Sequence, residues 1–471
     1  MNIVFLRSKI VSFIHIFNAL FLNIIKREII TPLVYIIITI FIALFIMERT
    51  TVPIGFNFDW FWTLANALRY IIFFLALITC FLYERTLKLV ICVVYFILSY
   101  ISGKYGNSWF LFDLFFIPLF LSKKIKVKTV ISISFYVLLI GTLLTVVLDL
   151  CNVLPKLKVF YAADGAVRYN LGFSHPNSLG FMCMLIGMTF LLNVKKIDFK
   201  CIPMLLLLGT LCIVVPKSRT SAFVLFFMSV GLLAVILFQN FYFSIKVRKV
   251  LGIAVLLVFT VIIILMYYIA LTGSYNGAIF QSLGSFWARF AYGAKSFHDY
   301  GFSAIGQPYH PVGTAAIMNG ADSASFFVVD CLYFYAPVFI GIIPTLVYLT
   351  LVYRAVWNSI RQCDFVFLLV QVSIFIYALS EYLIIFPVVM FAYLNLAPAG
   401  RKLRVDQTVD NLSEFKSNSY YKTRYEECLR MVNDRDETID KLIKKLESSQ
   451  QELHDYRIAV KTFKNVLQRW E

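Results

Sequence analysis

Apolar runs of about twenty residues recur along this chain, and they limit what it can fold into more than any other feature. Each run can cross the roughly 30 Å hydrocarbon layer of a bilayer as a helix. A transmembrane β-barrel would instead alternate apolar and polar residues with a period of two, and the run from Tyr35 to Met47 shows no such alternation. The chain is also 60% hydrophobic and contains 47 Phe. The sequence therefore predicts an all-α, polytopic integral membrane protein.

We expect about twelve transmembrane helices, and ten to twelve fit the pattern. The first 28 residues are basic and apolar, and no small-residue cleavage site follows them, so we predict a cytoplasmic lead-in and not a cleaved signal peptide. The predicted helices cover approximately residues 29–48, 61–83, 87–102, 107–121, 128–150, 177–194, 201–216, 219–238, 250–271, 325–352, 365–381 and 383–398.

Basic residues in alternate loops predict the orientation of these helices. If the N-terminus is cytoplasmic, the inner loops and lead-in carry about twice as many Lys and Arg as the outer loops, as the positive-inside rule requires. Both termini are then cytoplasmic. Two outer loops are long, and they cover residues 151–176 and 272–324. Loops of this length are commonly functional.

The net charge of +17 does not point to nucleic acid, because the excess lies in the short loops, where it sets topology and meets anionic lipid. The tail from Arg401 is nearly neutral. The nine cysteines are odd in number, form no CxxC pair and lie mostly in apolar spans. We therefore expect neither a disulfide framework nor a zinc site.

Residues 399–471 form a cytoplasmic tail that is separate from the membrane domain at 29–398. Positions from Ile439 to Trp470 that are apolar except at Ser449 are spaced alternately three and four residues apart. This pattern predicts a coiled coil over about 425–470. Such a helix would join copies of the chain or bind a partner protein. The alternative is one amphipathic helix packed on the membrane domain or on lipid.

The segment from Arg168 to Gly180 concentrates polar chemistry at the mouth of the apolar helices. Arg168 offers a fork of donors to phosphate oxygens, and His175 can shuttle a proton near neutral pH. Asn177 is predicted to cap a helix that begins near Ser178. The alternative is a loop turn with its cap, in which Arg168 meets lipid headgroups.

Two further arginines fall on the predicted outer side. Arg219 follows Lys217 at a tight turn where the topology bias disfavours cations, so we expect it to bind a lipid diphosphate. Arg289 lies in an apparent amphipathic helix beside Trp287. For both arginines the alternative is interfacial anchoring to headgroups.

Acidic and imidazole groups supply candidate bases. Asp330, with Tyr333 close behind it, lies at the predicted outer end of a span, where a carboxylate could act as general base or pair with an arginine. Glu381 could play similar parts. His310 is a candidate for proton transfer or sugar binding. A metal site of His298, Asp299 and His310 is a weak alternative, because the two histidines are 12 residues apart and a third clear ligand is missing.

The sequence contains no Walker A motif, no Rossmann glycine fingerprint and no HExxH motif. No cofactor or metal is therefore expected. The chemistry points to a substrate that carries its own activated leaving group at the outer face.

With Arg168, Gly172-Phe-Ser-His-Pro-Asn177, Ser218-Arg219, Arg289 in a long loop and Asp330 to Tyr333, the chain resembles the Wzy-type polysaccharide repeat-unit polymerases of O-antigen and capsule. The resemblance covers residues 29–398 and not the tail. It implies a glycosyltransferase of the bacterial inner membrane that joins oligosaccharide repeats carried on undecaprenyl diphosphate. It also makes a chain-length or assembly protein a candidate partner of the tail. It also implies that Arg168, Asn177, Arg219, Arg289 and Tyr333 bind this substrate, while His175, His310 or Asp330 serves as the base.

Other functions remain open from the sequence. O-antigen ligases share the superfamily, but they carry a histidine near the end of the large loop, where this chain has Asp330-Cys-Leu-Tyr333. A flippase or transporter of lipid-linked sugars would use the same cations without breaking a bond. A structural scaffold would explain the tail but not the outer motifs.

Overall fold

The computed structural model describes residues 31–55, 86–106, 126–155, 160–161, 165, 167–238, 245–277, 285–309, 312, 327–385 and 387–396, with seven single residues between 63 and 74. Two compact units divide the chain, residues 1–401 and 402–471. The second unit, the predicted coiled coil and the lead-in at 1–28 lie outside the described residues.

Among the described residues, the named secondary-structure elements are helices, apart from one short antiparallel hairpin of β1 (Phe160–Tyr161) and β2 (Val167–Arg168). A π-helix covers Ala336–Ile340, and 3-10 helices cover Ser274–Asn276, Tyr382–Ile385 and Pro387–Leu396. The α-helices are α1 (Thr31–Glu48), α2 (Val52–Gly55), α3 (Thr86–Gly106), α4 (Val127–Leu150), α5 (Pro176–Asn193), α6 (Cys201–Val214), α7 (Arg219–Phe238), α8 (Ile245–Thr272), α9 (Ser285–Tyr300), α10 (Leu332–Tyr335), α11 (Ile342–Arg361) and α12 (Phe365–Ala378).

The chain is an all-α membrane protein, as its sequence predicts. Within the described residues, four helices are long and apolar enough to cross a membrane, namely α4, α5, α7 and α8, while α1, α6 and α12 are shorter apolar helices. Most of the span predicted at 61–83 and all of the span predicted at 107–121 fall outside the described residues.

Two of these helices show where the core and the lipid-facing surface lie. On α8, Val250, Ile253 and Leu257 are 67%, 59% and 61% exposed, which is expected where lipid replaces a protein neighbour. Helix α5 is the opposite case, since it packs between α4, α6, α7 and α12 and 83% of its apolar window is buried. Its glycines allow this, because a Cβ on Gly180 would come within 2.4 Å of Ser218. The helix that follows the Arg168 motif is therefore the central helix of the bundle.

The ends of the helices collect at two places, which we name the motif end and the basic end. At the motif end, the turn after α1 meets the motif, since the Thr51 N–H donates to the carbonyl of Gly172 and the Ser174 N–H to that of Arg49. At the basic end, the Lys126 N–H donates to the Tyr35 hydroxyl, and Arg248 donates to the carbonyl of Arg361.

The predicted span at 325–352 is wrong in one respect, because these residues do not form one continuous helix. Helix α10 passes into the π-helix, which stops at Gly341 with φ at +106°. A side chain at Gly341 would collide with the backbone of residues 304–306. The loop after α9 also satisfies the backbone that follows Gly341. The N–H groups of Ile342 and Ile343 donate to the carbonyls of Ser303 and Ala304 in this loop. Backbone groups freed by a break must be satisfied inside protein, and the loop after α9 does this.

The predicted span at 383–398 is likewise a pair of 3-10 helices and not a continuous α-helix. Buried amides hold this segment in the bundle. Asn395 donates to the carbonyl of Ala355 at 2.7 Å and to Ser359 Oγ at 2.8 Å, while Gln371 donates to the carbonyl of Ala392 at 2.9 Å. Polar side chains that bond across helices serve this purpose where the surroundings are apolar. Glu381 lies in the turn between α12 and this segment.

Candidate active site

The motif from Arg168 to His175 is a rigid turn. Gly172 has φ at +81°, and a Cβ there would lie 2.7 Å from the Leu154 side chain. The next residue, Phe173, is fully buried and forms a β-bridge with Thr50. The glycine and phenylalanine of the motif thus fix the backbone that carries Arg168 and His175.

His175 caps helix α5, which corrects the predicted cap at Asn177. The helix begins at Pro176, and Nδ1 of His175 accepts the Asn177 N–H at 3.1 Å. Burial, with the nearby Arg168 charge, lowers the pKa of His175 to about 4. A neutral imidazole fits a capping acceptor, since Nδ1 must carry no proton.

Because the cap is supplied by His175, the side chain of Asn177 is directed elsewhere. Its Oδ1 accepts from a terminal nitrogen of Arg168 at 2.5 Å, and its Nδ2 donates to Oε1 of Glu381 at 3.4 Å. Arg168 also donates through Nε to the carbonyl of Pro216 at 3.0 Å. Burial lowers the pKa of Arg168, as does the charge of Arg219, while Glu381 opposes them.

Arg289 reaches the same carboxyl from another element. It projects from the predicted amphipathic segment, which forms helix α9. Its Nε donates to the carbonyl of Ser380 at 2.8 Å, and its Nη2 lies 3.5 Å from Oε1 of Glu381. The Ser380 carbonyl belongs to the turn that ends α12, where a cation is favoured by the partial negative charge of the helix end.

Glu381 is the link between the two arginines, and its side chain is only 8% exposed. Burial, with the neighbouring Asp330, raises the pKa of Glu381 to about 8, although Arg289 and Arg168 act in the opposite direction. The sequence contained a signal for this residue, because an acidic group between two apolar segments is costly unless it has a role.

Asp330 lies in the non-helical stretch before α10 and is partly exposed. Burial raises the pKa of Asp330 to about 6, against the effect of Arg289. It therefore stays largely ionised at neutral pH while remaining a better proton acceptor than an ordinary aspartate.

Arg219 is the first residue of α7 and is exposed. It lies close enough to Arg168 for its charge to affect that group. The neighbouring Thr220 hydroxyl lies 3.1 Å from that of Ser380, so the start of α7 meets the turn that carries Glu381. We call Arg168, Arg219, Arg289, Asp330 and Glu381 the charged cluster.

Some predicted site residues do not join the cluster. Tyr333 is buried in an aromatic core, where its ring packs 5.3 Å from that of Phe375. Its carbonyl accepts from the Tyr267 hydroxyl. The geometry does not support a role for this side chain in binding substrate. His298 is exposed and contacts Asp299 at 2.9 Å, and His310 lies outside the described residues.

The charged cluster combines donors suited to an anion with a carboxylate able to accept a proton. It draws on β2, α7, α9, the stretch before α10 and the turn after α12. Within the described residues, no three His, Cys, Asp or Glu side chains are grouped as metal ligands would be. Comparison of the chain with protein-family models, curated proteins and solved structures finds no match.

Proposed function

We propose that this protein polymerises oligosaccharide repeat units carried on undecaprenyl diphosphate, and that the charged cluster is its active site. The observation that carries the proposal is the link from Arg168 through Asn177 and Glu381 to Arg289. Rigidly held guanidinium groups recognise phosphate oxygens. A lipid diphosphate would supply both the charge and the leaving group for sugar transfer.

In the proposed reaction, a hydroxyl of the new repeat attacks the anomeric carbon of the growing chain. The bond from that carbon to the diphosphate oxygen breaks, and undecaprenyl diphosphate leaves with the bonding electrons. Arg168, Arg219 and Arg289 stabilise the charge that develops on the diphosphate, which is the largest single contribution in many such reactions.

Asp330 is the base in this scheme, and it takes the proton of the attacking hydroxyl. It is the partly exposed carboxyl of the cluster, with a pKa raised to about 6. His175 suits the role poorly, since its Nδ1 is engaged in the helix cap and its pKa is lowered to about 4. Glu381 is a positioning residue that keeps Arg168 and Arg289 in register.

The proposal includes the topology expected from the sequence. The motif end faces the outer side of a bacterial inner membrane, about twelve helices cross it and both termini are cytoplasmic. The exposed basic side chains at the other end favour this orientation. The tail serves as an oligomerisation or partner-binding helix.

A transporter of lipid-linked sugars is the second candidate, and the break at Gly341 favours it. Discontinuous helices beside a polar site are frequent in transporters. Such a protein would bind the same diphosphate and move the lipid across the bilayer without transferring sugar.

A reconstituted assay separates the two functions. Purified protein in proteoliposomes receives lipid-linked repeat units, and the products are resolved by length. A ladder of products supports the polymerase, and Asp330→Asn should reduce it by about 10²- to 10⁴-fold while the protein still inserts and folds. Repeat units that cross the bilayer but stay single would refute the polymerase. A ladder that Asp330→Asn leaves intact would remove Asp330 as the base.

A further inference from the structure

Three tyrosines that the charged cluster does not include lie directly beside it. The rings of Tyr335 and Tyr382 stack with centroids 5.0 Å apart and planes 22° apart. Tyr309 meets Tyr335 edge-on at 5.4 Å. Tyr335 is 7% exposed, whereas Tyr309 and Tyr382 are partly exposed. The buried ring of Tyr335 is therefore flanked by two tyrosines that keep part of their surface exposed. We call Tyr309, Tyr335 and Tyr382 the tyrosine set.

The tyrosine set is tied to Asp330 by backbone and by charge. The Val329 N–H donates to the Tyr309 hydroxyl at 2.8 Å, which places that hydroxyl beside the residue that precedes Asp330. The carboxyl of Asp330 lies within electrostatic reach of both Tyr309 and Tyr382. Asp330 in turn interacts with Arg289 and Glu381. The tyrosine set therefore adjoins the charged cluster at Asp330.

We propose that the tyrosine set is a saccharide subsite, in which a pyranose ring lies against Tyr309 and Tyr382 while Asp330 accepts a hydrogen bond from one of its hydroxyls. This inference rests on the proposed function, since a diphosphate on the arginines would place its sugar here. An aromatic face matches the C–H face of a pyranose, and a tyrosine hydroxyl adds a polar contact at the ring edge. A few polar groups on an aromatic wall are the usual composition of a small-molecule site.

The alternative for partly exposed tyrosines in a membrane protein is an interfacial anchor. Anchoring aromatics lie on the surface that faces the lipid headgroups. The tyrosine set instead packs on itself and on Phe339, whose ring lies 4.3 Å from that of Tyr309. Tyr382 also lies within electrostatic reach of three buried or half-buried carboxyls, those of Asp330, Glu381 and Glu48. Both features favour a lined site over an anchor.

Binding measurements on the full-length protein in nanodiscs test the subsite. The probes are undecaprenyl diphosphate and the same lipid carrying a single N-acetylglucosamine or a single galactose. We expect at least one sugar to increase affinity over the bare lipid. Tyr382→Ala should remove about tenfold of the affinity for that sugar lipid and leave binding of the bare lipid unchanged, as expected from loss of one stacking contact. Tyr382→Phe, which keeps the ring, should lose only about two- to threefold.

Two controls separate this proposal from the proposed function. Tyr136→Ala removes a tyrosine that is 54% exposed on α4, and it should change neither affinity. Arg289→Ala should weaken both lipids by the same factor. If the wild type binds the bare lipid but neither sugar adds affinity, the subsite is refuted while the diphosphate site stands. Equal losses for both lipids in Tyr382→Ala would also refute it, since the residue would then be structural.

Failure of the proposed function can also be distinguished from failure of the subsite. If the bare lipid does not bind, the proposed function fails, and the subsite is then tested with the methyl glycosides of the same two sugars by saturation-transfer NMR. Transfer from the protein to either glycoside that disappears in Tyr382→Ala would support the subsite. Absence of transfer in the wild type would refute it.

Discussion

The two ends of the helix bundle use the same residue types in different ways. At the basic end, Lys195, Lys196, Arg354 and Arg361 are exposed, and Arg248 bonds to the backbone carbonyl of Arg361. At the motif end, Arg168 and Arg289 are half-buried and meet a buried carboxyl through side chains from several elements. Exposed cations of the first kind set topology, whereas a linked and buried set has a cost that function must explain.

Substitution of Arg289, at the motif end, should impair sugar transfer more than any substitution at the basic end. Arg289→Ala removes the cation that pairs with Glu381 and keeps Arg168, which is linked to that carboxyl through Asn177. Sugar transfer in the reconstituted assay should fall by at least about 100-fold, as for other groups that stabilise a leaving anion. Arg289→Lys should recover only part of it, because a point charge cannot reproduce both contacts. Activity within about twofold of wild type in Arg289→Ala would exclude the residue from the site.

The two carboxyls should give the activity a bell-shaped dependence on pH. Activity rises as Asp330 ionises, with a pKa of about 6. It falls as Glu381, with a pKa of about 8, ionises and neutralises the arginines. The apparent values belong to the interacting pair. Glu381→Gln should remove the falling limb and keep the rising one, as measured by the rate of transfer between pH 5 and 9. A falling limb that persists in Glu381→Gln would assign it to another group.

Stability gives an independent check on Glu381. Its pKa is raised in the folded state, so the fold binds more protons than the unfolded chain between pH 4.5 and about 8. Stability from this group is therefore present at low pH and is lost as pH rises through that window. Wild-type protein should lose thermal stability from pH 6 to pH 9 relative to Glu381→Gln. Parallel curves would show that the carboxyl is not perturbed.

The sequence predicted the helices and the residue types of the site better than it predicted their pairing. Apolar runs placed α4, α5, α7 and α8 to within a few residues, because lipid demands long apolar helices. Apolarity alone could not predict the break at Gly341, because the residues that satisfy the backbone there lie in the loop after α9. The partnership of Arg168 with Glu381 was equally hidden, because the two residues are over two hundred positions apart in the chain. Spacing alone also could not show that the ring of Tyr333 enters the aromatic core.

Substitution of His175 distinguishes a structural role for this residue, as the cap of α5, from a chemical role as the base. His175→Asn should keep the cap, since asparagine is a favoured N-cap residue, and should leave activity within about twofold of wild type. His175→Ala should cost about 1 kcal/mol of stability. A large loss of transfer in His175→Asn, with normal thermal stability, would return His175 to the list of candidate bases.

The pKa of His175 adds a second measurement on the same residue. Because the pKa is lowered to about 4 in the fold, the unfolded chain binds more protons between pH 4 and 6.5. Stability from this group should therefore rise with pH across that window and be lost on acidification. His175→Asn should flatten this part of the stability profile, opposite in sign to the Glu381 effect at higher pH.

The smallest effect is expected at the basic end. Arg361→Ala removes an exposed cation whose contact with Arg248 is made by its backbone carbonyl, so the contact itself survives the substitution. Transfer should stay within about twofold of wild type, whereas Arg289→Ala is severely impaired in the same preparation. Both substitutions remove one positive charge from a helix of this bundle. A difference between their transfer rates is therefore due to where the residue lies and not to the loss of charge as such. If Arg361→Ala reduced transfer as strongly as Arg289→Ala at equal insertion, the basic end would belong to the site and the separation of the two ends would fail.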